Sequence, residues 1–168
     1  MKNHKRLAEL CLRSYHEQTF AINGVEVLVV DNNIVIRGTE PSSFTDIVRN
    51  LFGQIGYEFA AYSIYYRCLE IIDRRCPVYI TGHSAGGAIA IYLSRLINAK
   101  EVVVFGCPRL SESAHNLYSY VYANDAVPKL LFPKKQHSGD LVELGKDRKR
   151  WYKLSVQDHF LFNYIGAL

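Results

Sequence analysis

The chain predicts one α/β domain over residues 1–168, with a mostly parallel central sheet and a β-hairpin near the N-terminus. Three observations carry this expectation. Short apolar β-type runs at 78–81, 101–105 and 119–123 alternate with helical patterns. The run Glu101-Val-Val-Val-Phe105 is apolar nearly throughout, as befits a strand covered on both faces of a parallel sheet. The 168 residues, 49% apolar and 21% charged, are enough for one domain with a substantial core, and that balance argues against disorder.

Each element has its own local signal. Leu7, Leu10, Cys11 and Ser14 recur at helical spacing, so residues 3–15 read as an amphipathic helix. Val25, Val27 and Val29 alternate in a strand over 24–30. Asp31-Asn32-Asn33 has turn chemistry, and 34–37 is the returning strand of a hairpin. Residues 38–43 read as a loop and 44–52 as a short helix. The longest helical pattern spans 57–73, with Phe59, Tyr62, Tyr66, Leu69 and Ile72 near one face. After the strand at 78–81 comes a helix over 87–97. Gly106-Cys107-Pro108-Arg109 ends the strand at 101–105, and Asn124-Asp125 and Pro128 end that at 119–123. A short strand at 141–144 is expected to pair with 151–154 across the charged turn 145–150. Asp158 should cap a terminal helix running from His159 towards Leu168. Right-handed crossovers then bring the carboxyl ends of 78–81, 102–105 and 119–123 to one rim.

Composition excludes several classes. The net charge of +4 is mild, and basic residues are not interleaved with aromatics, which argues against nucleic-acid binding. The four cysteines form no C-x-x-C pair; Cys76 and Cys107 adjoin apolar runs, so buried free thiols are expected. No apolar run has the length of a signal peptide core or a membrane span. These features predict a cytoplasmic protein, and they are also compatible with release by a non-classical route. No metal-ligand cluster, phosphate loop or dinucleotide fingerprint is present, so no cofactor is expected.

The stretch 77–91 organises the chain. An apolar run meets Gly82-His83-Ser84-Ala85-Gly86, and an alanine-rich helical pattern follows at once. Strand, tight turn and helix with serine at the apex make a nucleophile elbow. Gly82 and Gly86 permit close packing of the helix on the strand. Ser84 should stand with its Oγ exposed above the sheet, beside the N–H groups of a helix N-terminus.

A serine hydroxyl needs a histidine base, itself oriented by a carboxylate. With the order Ser, acid, His used by α/β-hydrolases, His137 and His159 are the candidate bases. His137 precedes a strand and falls at its amino end; His159 lies where a loop can return to the rim, and is favoured. His83, inside the elbow, reads as structural. Among the acids, Asp125 lies just past a central strand at the rim. Asp140 opens a strand at the wrong end, Asp147 sits in a charged turn, and Asp158 suits a cap. An oxyanion hole needs two donors. The N–H of Ala85 is one. Arg37-Gly38-Thr39 ends an earlier strand, so Thr39 is a candidate for the other, and the same residues also read as a plain turn.

Several blocks, in order, resemble the class 3 (fungal-type) lipase family of the α/β-hydrolases. They are Ile36-Arg-Gly-Thr39, Gly56-Tyr-Glu-Phe-Ala-Ala-Tyr62, Thr81-Gly-His-Ser-Ala-Gly-Gly-Ala88, Phe105-Gly-Cys-Pro-Arg109, Asn124-Asp-Ala-Val-Pro128 and Asp158-His159. The resemblance covers roughly residues 25–165. It implies a serine ester hydrolase with Ser84, Asp125 and His159 as its triad and Thr39 and Ala85 as oxyanion donors. The implied substrates are acyl esters of glycerolipids. A phospholipase A1 and a non-catalytic lipid- or partner-binding domain are the alternatives. The chain departs from the family pattern where Ala85 stands for leucine, where Gln54 stands for histidine, and in residues 40–51, which hold Phe44 but no tryptophan. Lys134, Lys135 and the basic residues of 146–150 suit a transient contact with anionic lipid, or simply solvated turns. Oligomeric state leaves no signature. Residues 40–51 offer one small apolar face (Phe44, Ile47, Val48, Leu51), which reads as packing over the sheet edge or as a small lid.

Overall fold

The computed structural model describes residues 2–38, 54–130, 138–145 and 159–168. In chain order these form α1 (Lys2–Arg13), β1 (Phe20–Ile22), β2 (Val25–Val30), β3 (Asn33–Ile36), α2 (Gln54–Ile71), β4 (Tyr79–His83), α3 (Ala85–Leu96), β5 (Glu101–Phe105), β6 (Leu117–Tyr122), α4 (Ala126–Leu130), β7 (Asp140–Leu144) and α5 (Leu161–Ala167). The strands lie side by side in sequence order, β1 to β7. β1, β2 and β3 pair antiparallel; β3 to β7 are all parallel. The expected α/β domain, with a mostly parallel sheet and an N-terminal hairpin, is what forms.

Alternation along the strands decides which helix covers which face. Ile34, Ile36, Ile80, Val102 and Val104 face one way and are buried with α2 and α3. Val35, Val103, Phe105 and Tyr120 face the other, against Leu7, Leu10 and Cys11 of α1 and Leu161 and Tyr164 of α5. Both faces of the central strands are therefore covered, which is why their sequences read as continuous apolar runs.

The hairpin extends one strand further than expected. Ile22 pairs with Val25 across Asn23-Gly24, and Val30 pairs with Asn33 across Asp31-Asn32. All four of these loop residues have positive φ, from 47° to 76°. Two-residue loops of this kind match the strand twist, and Asn-Gly is their strongest sequence signal. That signal stands at 23–24 and marks β1, a strand the sequence reading omitted.

β7 is bound parallel to β6, with Tyr118 opposite Asp140 and Tyr122 opposite Leu144; its anticipated pairing with 151–154 falls outside the described residues. Three further expectations change. α2 buries Tyr57, Ala61, Ile64 and Cys68, whereas Phe59, Tyr62 and Tyr66 are exposed. Apolar residues surround this helix, so periodicity does not single out a face. The side carrying Ala61 and Cys68 approaches its neighbours closely, while the tyrosines keep their hydroxyls wet. α5 begins at Leu161 after Phe160, so His159 precedes the helix rather than opening it. Cys76 is exposed in the turn before β4, where its N–H bonds the Asp73 carbonyl; the other three cysteines are buried free thiols. No described helix is long and apolar enough to cross a membrane. The short helix at 44–52, the lid candidate 40–51, Lys134, Lys135, His137, residues 146–150 with Asp147, and the Asp158 cap all lie outside the described residues.

Candidate active site

The elbow is built by close packing. A Cβ on Gly82 would run into the backbone of Gly86, 2.5 Å from its carbonyl carbon, and one on Gly86 would lie 2.7 Å from the Arg37 carbonyl oxygen. β4, the start of α3 and the end of β3 thus meet with no room for side chains. The turn forces Ser84 to φ 54° and ψ −127°, a conformation that costs an L-residue about 1–3 kcal/mol. Its backbone N–H is tied to the Phe105 carbonyl at 2.9 Å, which anchors the strained residue to β5. Ser84 is 2% exposed, so its hydroxyl is covered rather than open above the sheet as its elbow position predicts.

What meets that hydroxyl is His159. The Ser84 hydroxyl and the His159 Nε2 are 2.8 Å apart, and the His159 Nδ1 is 2.8 Å from Asp125 Oδ2. With Nδ1 protonated and donating to the carboxylate, Nε2 is left to accept the serine proton. Asp125 follows β6 in a turn closed by its own N–H to the Tyr122 carbonyl at 2.9 Å. The side chain is fully buried, and its Oδ1 accepts the Val127 N–H at 2.9 Å. Buried carboxylates are tolerated only when partnered in this way. Gly106, at φ 57°, lies beneath the pair: a Cβ there would stand 2.8 Å from His159 Cε1 and 3.0 Å from Asp125 Oδ2. Of the expected residues, Ser84, His159, Asp125 and Ala85 are brought to one rim. Ala85 opens α3, where a first-turn N–H has no acceptor within the helix. Thr39 lies outside the described residues, as does His137.

Two other residues bear on the histidine, and neither was evident from spacing. His83 lies in ring contact with His159, centroids 4.7 Å apart, and its Nε2–H donates to the His159 carbonyl at 2.8 Å. Its Nδ1 accepts from the Tyr15 hydroxyl at 3.2 Å. Burial holds the His83 pKa down to about 3, helped by the neighbouring His159, so it stays neutral in this arrangement. Tyr15 in turn carries the Arg37 guanidinium over its ring at 4.9 Å, and Arg37 pairs with Glu26. The reading of His83 as structural holds, but the structure it supports is the backbone of His159. The second residue is Tyr164 of α5, whose hydroxyl donates to Asp125 Oδ2 at 2.5 Å.

A serine at an elbow, a histidine and a buried carboxylate in line on a doubly covered parallel sheet define an α/β-hydrolase-type site. Residues 42–135 match the family described as Lipase (class 3). That is more than half of the chain, and the chain belongs to this family. No curated protein matches it in sequence. Solved structures agree in fold. Lip2 lipase from Yarrowia lipolytica is 17% identical, with a TM-score of 0.60 over 86% of this chain and 78% of that one. A Rhizomucor miehei lipase propeptide complex is 14% identical, with a TM-score of 0.61 over 99% and 78%. The MDLA N225Q mutant from Penicillium cyclopium is 15% identical, with a TM-score of 0.61 over 94% and 83%. At such identities the likeness concerns the fold.

Proposed function

We propose that the protein hydrolyses acyl esters of glycerolipids through an acyl-enzyme on Ser84, with His159 as general base and Asp125 as its orienting acid. The observation that carries this reading is the unbroken relay from Ser84 Oγ through His159 to Asp125, each link 2.8 Å, at the elbow of a class 3 lipase. His159 takes the serine proton as Oγ attacks the ester carbonyl, then returns it to the departing alcohol. Water repeats the cycle on the acyl-enzyme and releases the acid.

The oxyanion of each tetrahedral intermediate is assigned to the N–H of Ala85 and to Thr39. The contact of Gly86 with the carbonyls of Ile36 and Arg37 supports this assignment, because it sets the segment leading to Thr39 directly against the elbow. A panel of soluble esters of increasing acyl length, with a triacylglycerol emulsion and a phospholipid beside them, tests the substrate class. Acyl-ester hydrolysis by the wild type, absent in Ser84→Ala, is expected. Rates for the wild type no higher than for Ser84→Ala on every ester would contradict the reading. Turnover of the phospholipid above the triacylglycerol would move it to a phospholipase.

A further inference from the structure

Asp125 Oδ2 receives two donors, and only one of them belongs to the relay. The other is the Tyr164 hydroxyl at 2.5 Å, which itself accepts the backbone N–H of Tyr122 at 3.2 Å. That N–H donor occupies the acceptor side of the hydroxyl, so the tyrosine proton is directed at the carboxylate. Tyr164 and Asp125 are both fully buried. The tyrosine ring is gripped edge-on by Phe105, Tyr122 and His83, at 6.0, 5.8 and 6.4 Å between centroids. A buried donor held this firmly is fixed before any substrate arrives.

The covalent chain adds a second constraint. Tyr164 lies on α5, the helix that follows His159 directly, and Leu161 of the same helix is buried against the sheet. The path from His159 through the helix to Tyr164, across to Asp125 and back to His159 Nδ1 is therefore a closed ring. Base and acid come from separate segments of the chain, and Tyr164 is the tie between them. Val127 N–H holds Oδ1 from the other side, which leaves the carboxylate no free rotation.

Building on the triad reading above, we propose that Tyr164 is a positioning residue: its hydroxyl locks the Asp125 carboxylate in the orientation that keeps Nδ1 of His159 protonated and Nε2 aimed at Ser84. Removing the hydroxyl loosens the carboxylate without touching substrate. The loss therefore falls on turnover and not on substrate binding.

The test is Tyr164→Phe, which deletes one oxygen, assayed on a soluble short-chain ester beside Asp125→Asn and the double variant. Rates are taken per serine titrated to completion by a fluorophosphonate, so unfolded protein does not count. A kcat lower by about tenfold with KM unchanged is expected, since a hydrogen bond to a charged group is worth at least that factor. In the Asp125→Asn background the same substitution should cost nothing further, because its effect passes through the carboxylate. Full kcat in Tyr164→Phe would overturn the proposal. So would an equal fractional loss in both backgrounds, which marks a general packing role. Hydrolysis persisting in Ser84→Ala would instead remove the triad reading, and the two failures are thus distinct.

Discussion

The rim where β4, β5 and β6 end and the flank formed by α2 are both rich in aromatic residues, yet they are built on opposite terms. At the rim, every polar atom of Ser84, Asp125, His159, His83 and Tyr164 discussed above has a partner, and backbone approaches too tight for a Cβ hold the elements together. Along α2, fit is apolar and permissive. Phe59, Tyr62 and Tyr66 lie exposed, and the buried Tyr57 hydroxyl has no hydrogen-bond partner among the described residues. A site that must fix a proton's path cannot tolerate loose polar groups, because each unpaired one costs about 1–3 kcal/mol and blurs the geometry. A covering helix can.

This contrast predicts graded responses to substitution. The largest belongs to Asp125→Asn, which keeps shape but presents the wrong hydrogen-bond pattern to His159. A turnover loss of about 10⁴ is expected, the size seen for that change in another serine hydrolase, measured as kcat on a soluble ester. Next comes Gly106→Ala. Its Cβ would press on the His159 ring from a backbone with φ 57°, so stability should fall by about 2 kcal/mol or more and activity with it, read by thermal melting and assay together.

His83→Gln sharpens the comparison through pH. In the folded protein His83 resists protonation down to about 3, whereas its ordinary value is 6.5. The unfolded chain therefore binds a proton that the folded one refuses. This costs stability as pH falls from about 6.5 towards 3, at up to about 1.4 kcal/mol per pH unit. Denaturant unfolding at pH 7 and pH 5 should show a shallower decline in the variant. An unchanged slope would mean that His83 is not held neutral by burial. The smallest effect is on the permissive flank. Tyr57→Phe removes a buried hydroxyl that has no partner among the described residues, so it should raise stability by about 1 kcal/mol with activity unchanged. A loss of activity instead would bring Tyr57 into the site and break the contrast.

The same contrast explains what was legible in the sequence. Ser84 was readable because strand, turn and helix are local and Gly82 and Gly86 admit one packing. Asp125 followed from its place after an apolar run, and His159 from chain order. Asn23-Gly24 carried β1 in plain view. The face of α2 was not legible, since aromatic residues all round the helix leave size and close approach to decide which side is buried. His83 and Tyr164 were hidden for a different reason. Their partners are 76 and 39 residues away in the chain, and neither bond has a periodic or spacing signature. The covering of Ser84 is likewise a property of tertiary closure that the elbow alone does not encode.

The most direct test of the central claim, that Ser84 is a nucleophile activated by His159, is fluorophosphonate labelling with the modified peptide mapped by mass spectrometry. The account predicts a single adduct on Ser84, none in Ser84→Ala, and labelling slowed by orders of magnitude in His159→Ala. An adduct on a different serine, or labelling at an undiminished rate without His159, would contradict it.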